Sequence, residues 1–267
     1  WAAVALLSIL VSDRVGRLSG VQLEGAAMQW QFTGYAVVLG LSTIIAASMA
    51  IVAWRRRAVQ GGTSLAVLMM AATIYAGTSG FEATAVGIPA KIFWSKLQYL
   101  GAMTCPPLLL VFALDFARCD HWLNWRTVVA AFVLPVIAIG LAWTNELHAW
   151  IWTGFRPNPL GENLLIYEHG PAFWVIVVYL YVATAAATFV LVRNASLATG
   201  VYRRQALAVV LATLVTWAGS VIYVLNLSPI TGLDYTPIGF VLTGAALAWG
   251  ITRYQLFDLV PVTRETI

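Results

Sequence analysis

The charged residues of this chain stand in groups, and the stretches between the groups are long and apolar. Seven stretches contain no Asp, Glu, Lys or Arg: Gly25–Trp54, Ala58–Phe81, Leu97–Leu114, Thr127–Asn145, His169–Val192, Gln205–Leu233 and Tyr235–Thr252. Each has at least about 18 residues, the length that a helix rising about 1.5 Å per residue needs to cross the hydrocarbon core of a bilayer. The pattern therefore predicts an all-α membrane protein, a bundle of seven transmembrane helices.

The composition agrees with a membrane protein. The chain is 61% hydrophobic and 10% charged, with a mean hydropathy of +0.83, whereas a soluble domain carries about 25% charged residues. Seven helices and their loops occupy nearly all of the 267 residues, which leaves no room for a soluble domain.

The basic residues predict the orientation of the bundle. If the first helix starts outside the cell, ten of the fifteen basic residues fall on the cytoplasmic side, as membrane proteins prefer. The ten are Arg55, Arg56, Arg57, Arg118, Arg126, Arg193, Arg203, Arg204, Arg253 and Arg264, and the other five are Arg14, Arg17, Lys91, Lys96 and Arg156. We therefore expect the N-terminus outside and the C-terminus in the cytoplasm. This distribution also explains the net charge of +4, so no nucleic-acid partner is predicted.

The same pattern divides the chain into three parts. Residues 1–27 form an N-terminal extension, which is interpreted as a signal-peptide remnant, an interfacial helix or a sequence foreign to the natural protein. Residues 28–254 form the seven-helix domain, and residues 255–267 begin a cytoplasmic linker.

No metal site, cofactor or catalytic group is predicted. Cys105 and Cys119 lie about 21 Å apart along one helix, whereas a disulfide needs Cα atoms within about 7 Å. His121 and the pair His148 and His169 fall on opposite sides of the membrane, and no glycine-rich phosphate loop is present. We expect this chain alone to catalyse nothing.

Two features of the second and third spans suggest points of movement or contact. Pro106–Pro107 lies within the third span and predicts a kink, which serves either as a hinge or as a static bend. Glu82 and Lys96 lie near the outer ends of the two spans, where ionisable groups usually pair. We expect them to form an ion pair with each other, or one of them to contact a charged group of a ligand.

The loop between the fourth and fifth spans predicts a small outer hairpin. The turn sequence Asn158–Gly161 separates two short apolar stretches. Aromatic residues crowd this level: Trp143, Trp150, Trp152, Phe155, Tyr167, Phe173 and Trp174. They are either anchors at the membrane interface or the lining of a ligand pocket whose polar groups are Asn145, Glu146 and His148.

Five ordered motifs resemble a known family. They are Phe93–Gly101 followed by Pro106, Thr144–His148, Tyr202–Gln205, Gly232–Pro237 and Arg253–Val262. Together they are similar to the N-terminal seven-transmembrane sensor region of prokaryotic histidine kinases, from about Gln29 to the end of the chain. The chain departs from the family in the sixth span, where Thr216 and Ser220 stand near positions at which relatives often have proline and asparagine.

The resemblance implies a sensory receptor domain in the prokaryotic cell membrane. It would detect a small ligand or membrane cue and signal to a C-terminal histidine-kinase output module, or to a diguanylate cyclase. The implied partners are the lipid bilayer, an unknown small ligand, a second copy bound through the output region, and a response regulator. The candidate ligand-binding residues are Glu82, Lys96, Tyr99, Asn145, His148, Trp150, Trp152, Trp174 and Asp234. The candidate signal-transmission residues are Pro106, Pro107, Arg253, Tyr254 and Pro261.

Two other classes of membrane protein share features with this chain. A retinal protein needs a lysine in the seventh span for its Schiff base, and the chain's only lysines are Lys91 and Lys96; only a non-covalently held chromophore would fit. A small-molecule transporter or channel is the alternative function. The odd number of spans and the position of the polar groups near helix ends argue against it, because transporters usually show inverted repeats and polar groups at mid-membrane.

Overall fold

The computed structural model describes residues 29–58, 60–119, 121–158, 163–197, 200–225, 227 and 233–254; at residues 195, 200–209, 212 and 247–254 it describes the backbone alone. Within this part of the chain the long helices are α1 (Gly34–Arg55), α2 (Gly62–Thr84), α3 (Ile88–Phe116), α4 (Trp125–Trp143), α5 (Pro171–Leu197), α6 (Gly200–Val224) and α7 (Thr236–Tyr254). A single 3-10 turn, Asn145–Leu147, and two strands, β1 (Trp152–Pro157) and β2 (Leu165–His169), lie between α4 and α5.

The described helices follow the seven charge-free stretches of the sequence. Helices α1 to α4 and the segment Pro171–Asn194 of α5 are long and apolar enough to cross a membrane. The described apolar parts of α6 and α7 are shorter, at Thr213–Val224 and Thr236–Ala246. The fold is thus mostly helical and consistent with a membrane bundle.

Helix α3 begins nine residues before the charge-free stretch that starts at Leu97. Gly87 lies just before it with a φ of +92°, a conformation that glycine adopts without strain. Pro89 occupies the first turn, where its missing N–H costs no helical hydrogen bond. Lys91 and Lys96 therefore both lie inside the helix.

Helices α2 and α3 form the centre of the bundle. In each of them 56% of the most apolar stretch is buried, against 22%, 17% and 28% in α1, α4 and α5. Helix α2 packs on α1, α3 and α7, while α3 packs on α2, α4 and α5. The main core contains Leu65, Met69, Leu109 and Phe112. The outer helices instead expose large apolar side chains, as surfaces in contact with lipid do.

A glycine allows α2 and α3 to approach closely. A Cβ atom added to Gly101 would lie 2.6 Å from both the carbonyl oxygen of Ala71 and the backbone nitrogen of Tyr75. Helices in membranes associate through such small residues because close backbone packing replaces the hydrophobic driving force found in water. The contact holds Tyr75 at a fixed height beside α3.

The predicted hairpin is confirmed. Strands β1 and β2 pair antiparallel, with Phe155 opposite Tyr167 and Pro157 opposite Leu165. In a second cluster of buried residues, Trp152 of the hairpin packs with Tyr99 of α3, Ala138 of α4 and Ile176 of α5.

Some predictions fall on parts of the chain that the structure does not describe. Residues 1–27, the turn residues 159–161, Pro261 and the linker 255–267 lie outside the described residues. Arg253 and Tyr254 close α7 as helical backbone.

Candidate functional site

A cavity of about 100 Å³ lies inside the bundle between α2, α3, α5, α6 and the start of α7. Its lining includes Tyr75, Ala102, Met103, Pro106, Phe173, Ile176, Leu180, Tyr181, Thr184, Thr216, Trp217, Ser220, Tyr223, Asp234, Thr236 and Phe240. A concave, mostly aromatic and apolar space with a few polar groups is the usual form of a small-molecule site.

The double proline of α3 borders this cavity. Pro106 and Pro107 lack backbone N–H groups, so the carbonyls of Ala102 and Met103 receive no helical donor four residues on. Both of these residues line the cavity, as does Pro106. Two residues of the cavity wall therefore have carbonyls without their usual helical donors.

Asp234 is the ionisable side chain of lowest ordinary pKa in the lining. The Tyr75 hydroxyl donates to its Oδ2 at 2.5 Å, and the Thr236 backbone N–H donates to Oδ1 at 2.9 Å. Burial raises the pKa of the Asp234 carboxyl, and the hydrogen bonds from Thr236 and Tyr75 oppose that rise. Through these bonds Asp234 connects α2 to the first turn of α7.

His169, the last residue of β2, lies next to the aromatic wall of the cavity. Its ring stacks on Phe173 with centroids 3.6 Å apart and meets Tyr223 edge-on at 6.3 Å. Its Nδ1 is buried without a hydrogen-bond partner among the described residues. Burial lowers the pKa of His169 to about 4.

This lowered pKa predicts acid sensitivity. Between the ordinary histidine pKa of about 6.5 and the folded value of about 4, the unfolded chain binds more protons at His169 than the folded one. The free energy of unfolding should therefore fall as the pH is lowered through this range. Thermal unfolding midpoints measured from pH 7.5 to 4.5 should decline less steeply in His169→Phe than in the wild type. His121→Phe, altered at an exposed histidine, serves as the control, and an equal change of slope in both variants would contradict the prediction.

A second polar cluster lies between α2, α3 and the hairpin. The Nζ of Lys91 is 3.8 Å from Glu82 Oε1, and the Tyr167 hydroxyl donates to the same oxygen at 3.2 Å. Ser95 is hydrogen-bonded to the Tyr167 hydroxyl. Lys91 and Glu82 are only 4% and 9% exposed, so the pair is shielded from solvent.

The predicted ion pair between Glu82 and Lys96 is wrong. Lys96 instead bonds to Glu146 at 2.5 Å and to the carbonyl of Trp143 at 3.2 Å. Lys91 and Lys96 are five residues apart, so at 3.6 residues per turn they point about 140° away from each other. Only Lys91 faces α2.

Asn163 completes this cluster and was not predicted. Its side-chain Nδ2 donates to the carbonyls of Ala83 and Ala85 at 3.2 and 3.1 Å. Its own carbonyl accepts from Lys91 Nζ at 2.9 Å and from the Tyr35 hydroxyl at 3.1 Å. The hairpin is thereby attached to α1, α3 and the loop after α2.

Asn145, Trp152 and Tyr99 support the hairpin rather than line the cavity. Asn145 Oδ1 accepts from the backbone N–H groups of Ile151 and Trp152 at 3.0 Å, and its Nδ2 donates to the Trp152 carbonyl at 2.9 Å. The Trp152 ring meets Tyr99 edge-on at 5.1 Å. These hydrogen bonds use both polar atoms of the Asn145 side chain.

The remaining predicted residues lie at the periphery. His148 is hydrogen-bonded to the Thr144 hydroxyl and accepts from the Trp150 N–H. Trp150 and Trp174 are 53% and 48% exposed, as interface tryptophans are. Of the predicted ligand-binding residues, Asp234 alone belongs to the described cavity lining, and Pro106 joins it from the transmission set.

The apolar helices and their buried polar clusters define a multi-pass helical membrane protein. A scan against protein families matches residues 38–261 to the family described as the N-terminal 7TM region of histidine kinase. The chain belongs to this family, so the resemblance read from its motifs is confirmed. It is a non-catalytic transmembrane sensor domain of the prokaryotic membrane. A search of curated proteins gave no match.

Proposed function

We propose that this domain binds a small, partly apolar molecule in the internal cavity and signals to a cytoplasmic histidine-kinase module that follows α7. The observation that carries the proposal is the position of the cavity. Asp234, Thr236 and Phe240 border it from the start of α7, and α7 is the helix that leads towards the output module in this family. A molecule in the cavity therefore touches the element that must move.

The proposed topology has seven crossings with the hairpin outside. Arg55, Arg118 and Arg126 lie at or beside the ends of α1, α3 and α4 that are opposite the hairpin. Because basic residues collect on the cytoplasmic side, this end is assigned to the cytoplasm. The C-terminal end of α7, with Arg253 and Tyr254, falls on the same side.

The proposed mechanism is a shift between two arrangements of the bundle. A ligand shifts such an equilibrium only by its differential affinity for the two states. Tyr75 of α2 and Asp234, just before α7, both line the cavity and are hydrogen-bonded to each other. The Pro106–Pro107 segment supplies the flexible point in α3. The movement of α7 would leave the membrane at Arg253–Tyr254 and pass through Pro261.

The proposed output is phosphotransfer by a dimer. Kinases of this type work as homodimers and phosphorylate a response regulator, so we propose a dimer held through the output region. Membership of a sensor family favours this function over a transporter or channel.

A cavity-filling substitution tests the proposal without knowledge of the ligand. Ala102→Leu places a larger side chain in the cavity and should favour one bundle arrangement as a ligand would. Autophosphorylation of the full-length receptor in membrane vesicles should change by at least about fivefold, the lower range of allosteric coupling. Ala130→Leu, on the exposed surface of α4, should leave it unchanged. Wild-type output from both variants, at equal expression, would count against a signalling role of the cavity.

A further inference from the structure

Four donor groups of the cavity lining are engaged within the protein. The Thr184 hydroxyl donates to the Leu180 carbonyl at 2.8 Å, and Trp217 Nε1 donates to the Thr188 hydroxyl at 3.2 Å. The Ser220 hydroxyl donates to Tyr181 at 3.3 Å, and Tyr75 donates to Asp234. To reach these four donors, a ligand acceptor would have to displace an internal acceptor.

The acceptor groups, in contrast, have capacity left. A carboxylate offers about four lone-pair directions, and Asp234 receives hydrogen bonds from Tyr75 and Thr236. The carbonyls of Ala102 and Met103 lack their helical donors because of the double proline. The cavity therefore suits a molecule that carries N–H donors.

Aromatic rings supply most of the remaining wall. Tyr181 stacks on Trp217 with centroids 5.3 Å apart, and Tyr75 lies 6.5 Å from Phe240. Aromatic faces attract cations, most strongly when water is excluded. Among the described lining residues there is no lysine, arginine or histidine that would repel a cation.

We propose that the cavity binds a small organic ammonium ion, with the Asp234 carboxylate as its counter-ion and the aromatic rings around it. The assignment rests on the proposed function and names the chemical class of its ligand. A dry cavity of about 150 Å³ holds benzene, so a cavity of about 100 Å³ suits an ammonium with a short alkyl chain. Carboxylate ligands are excluded, because the negative charge of Asp234 would repel them at close range.

The test compares probes of similar size and different charge. The chain in lipid nanodiscs is titrated calorimetrically with n-butylammonium, tetramethylammonium, n-butanol and butyrate. We expect saturable binding of the two cations, tighter for n-butylammonium because it also donates N–H bonds, and no saturable binding of butyrate. Asp234→Asn should weaken n-butylammonium binding by at least about tenfold, since a hydrogen bond between charged partners is lost. Asp115→Asn, which alters a carboxylate bonded to Ser64 at the other end of α3, should leave it unchanged.

A measurement on the wild type covers the case in which Asp234→Asn fails to fold. Tetramethylammonium keeps its charge at every pH, so the pH dependence of its affinity reports the protein. Among the described residues, the titratable groups that face Asp234 are Tyr75 from α2 and Tyr223 from α6, and tyrosines remain neutral below pH 8. His169 lies behind Phe173 and Tyr223, so the same titration of His169→Phe separates its protonation from that of Asp234. Affinity should rise with pH by up to about tenfold per unit until Asp234 is ionised.

The outcomes separate this assignment from the proposed function. Saturable binding of butanol or butyrate in preference to the cations, abolished by Ala102→Leu, would overturn the ammonium assignment and leave the cavity as a ligand site. Cation binding that is insensitive to both Asp234→Asn and pH would also overturn it. If no probe shows saturable binding, or if Ala102→Leu does not abolish such binding, both the ammonium assignment and the proposal of a ligand cavity are wrong.

Discussion

Replacing Lys91 with methionine is expected to lower the free energy of unfolding by about 3–5 kcal/mol, because it leaves Glu82 buried without a cation. Lys91 Nζ donates to the carbonyls of Glu82 and Asn163 at 2.8 and 2.9 Å and lies 3.8 Å from the Glu82 carboxylate. Removing the ammonium therefore leaves a buried carboxylate and two carbonyls without this donor. Denaturant-induced unfolding in detergent micelles, followed by tryptophan fluorescence, measures the loss.

Two further variants distinguish the loss of the Lys91–Glu82 pair from a general disruption of the fold. Lys96→Met removes the partner of Glu146, whose side chain is 64% exposed, and should change stability by less than about 1 kcal/mol. The double variant Lys91→Met with Glu82→Gln should recover much of the loss, because no uncompensated charge stays buried. If Lys96→Met lowered the free energy of unfolding and Lys91→Met did not, the ion pair in solution would be the Glu82–Lys96 pair first expected from the sequence.

The partner of Glu82 shows where prediction from the sequence reaches its limit. Charge-free length predicts a helix well, and it located the apolar part of α3 from Leu97 onwards. It treats a lysine as the end of a span, although Lys91 lies within α3 and is only 4% exposed. Burying Lys91 becomes favourable only when the fold brings Glu82 and the carbonyl of Asn163 next to it, and Asn163 is 72 residues away from Lys91 in the chain. A local pattern carries no signal for that meeting.

The hairpin and the cavity also differ in how well the sequence predicted them. The hairpin was predictable because its turn sequence and apolar flanks are local. The cavity was expected beneath the hairpin among Trp150, Trp152 and Trp174, yet Trp152 is packed against Tyr99 and the other two face outwards. Much of the lining comes from α6, through Thr216, Ser220 and Tyr223. Their polar atoms are a local signal of the inward face that the prediction did not use. Asp234 was predictable because a charge between two spans stands out.

Gly101→Leu is expected to lower the free energy of unfolding by about 3 kcal/mol or more, since its side chain would enter the backbone of α2. The added Cβ alone would lie 2.6 Å from Ala71 O and Tyr75 N, and backbone in a packed helix yields less readily than a side chain. Gly140→Leu is the matched control, because nothing lies within 4 Å of a Cβ there and the new side chain points to the exposed surface of α4. We expect the unfolding midpoint of Gly140→Leu to equal or slightly exceed that of the wild type.

The Gly101→Leu variant also tests whether the contact between α2 and α3 positions Tyr75 for ligand binding. Separating the two helices moves Tyr75 away from α3, so any Gly101→Leu protein that folds should bind n-butylammonium more weakly than Gly140→Leu. Equal stability of the two variants would show that α2 and α3 are not packed through Gly101.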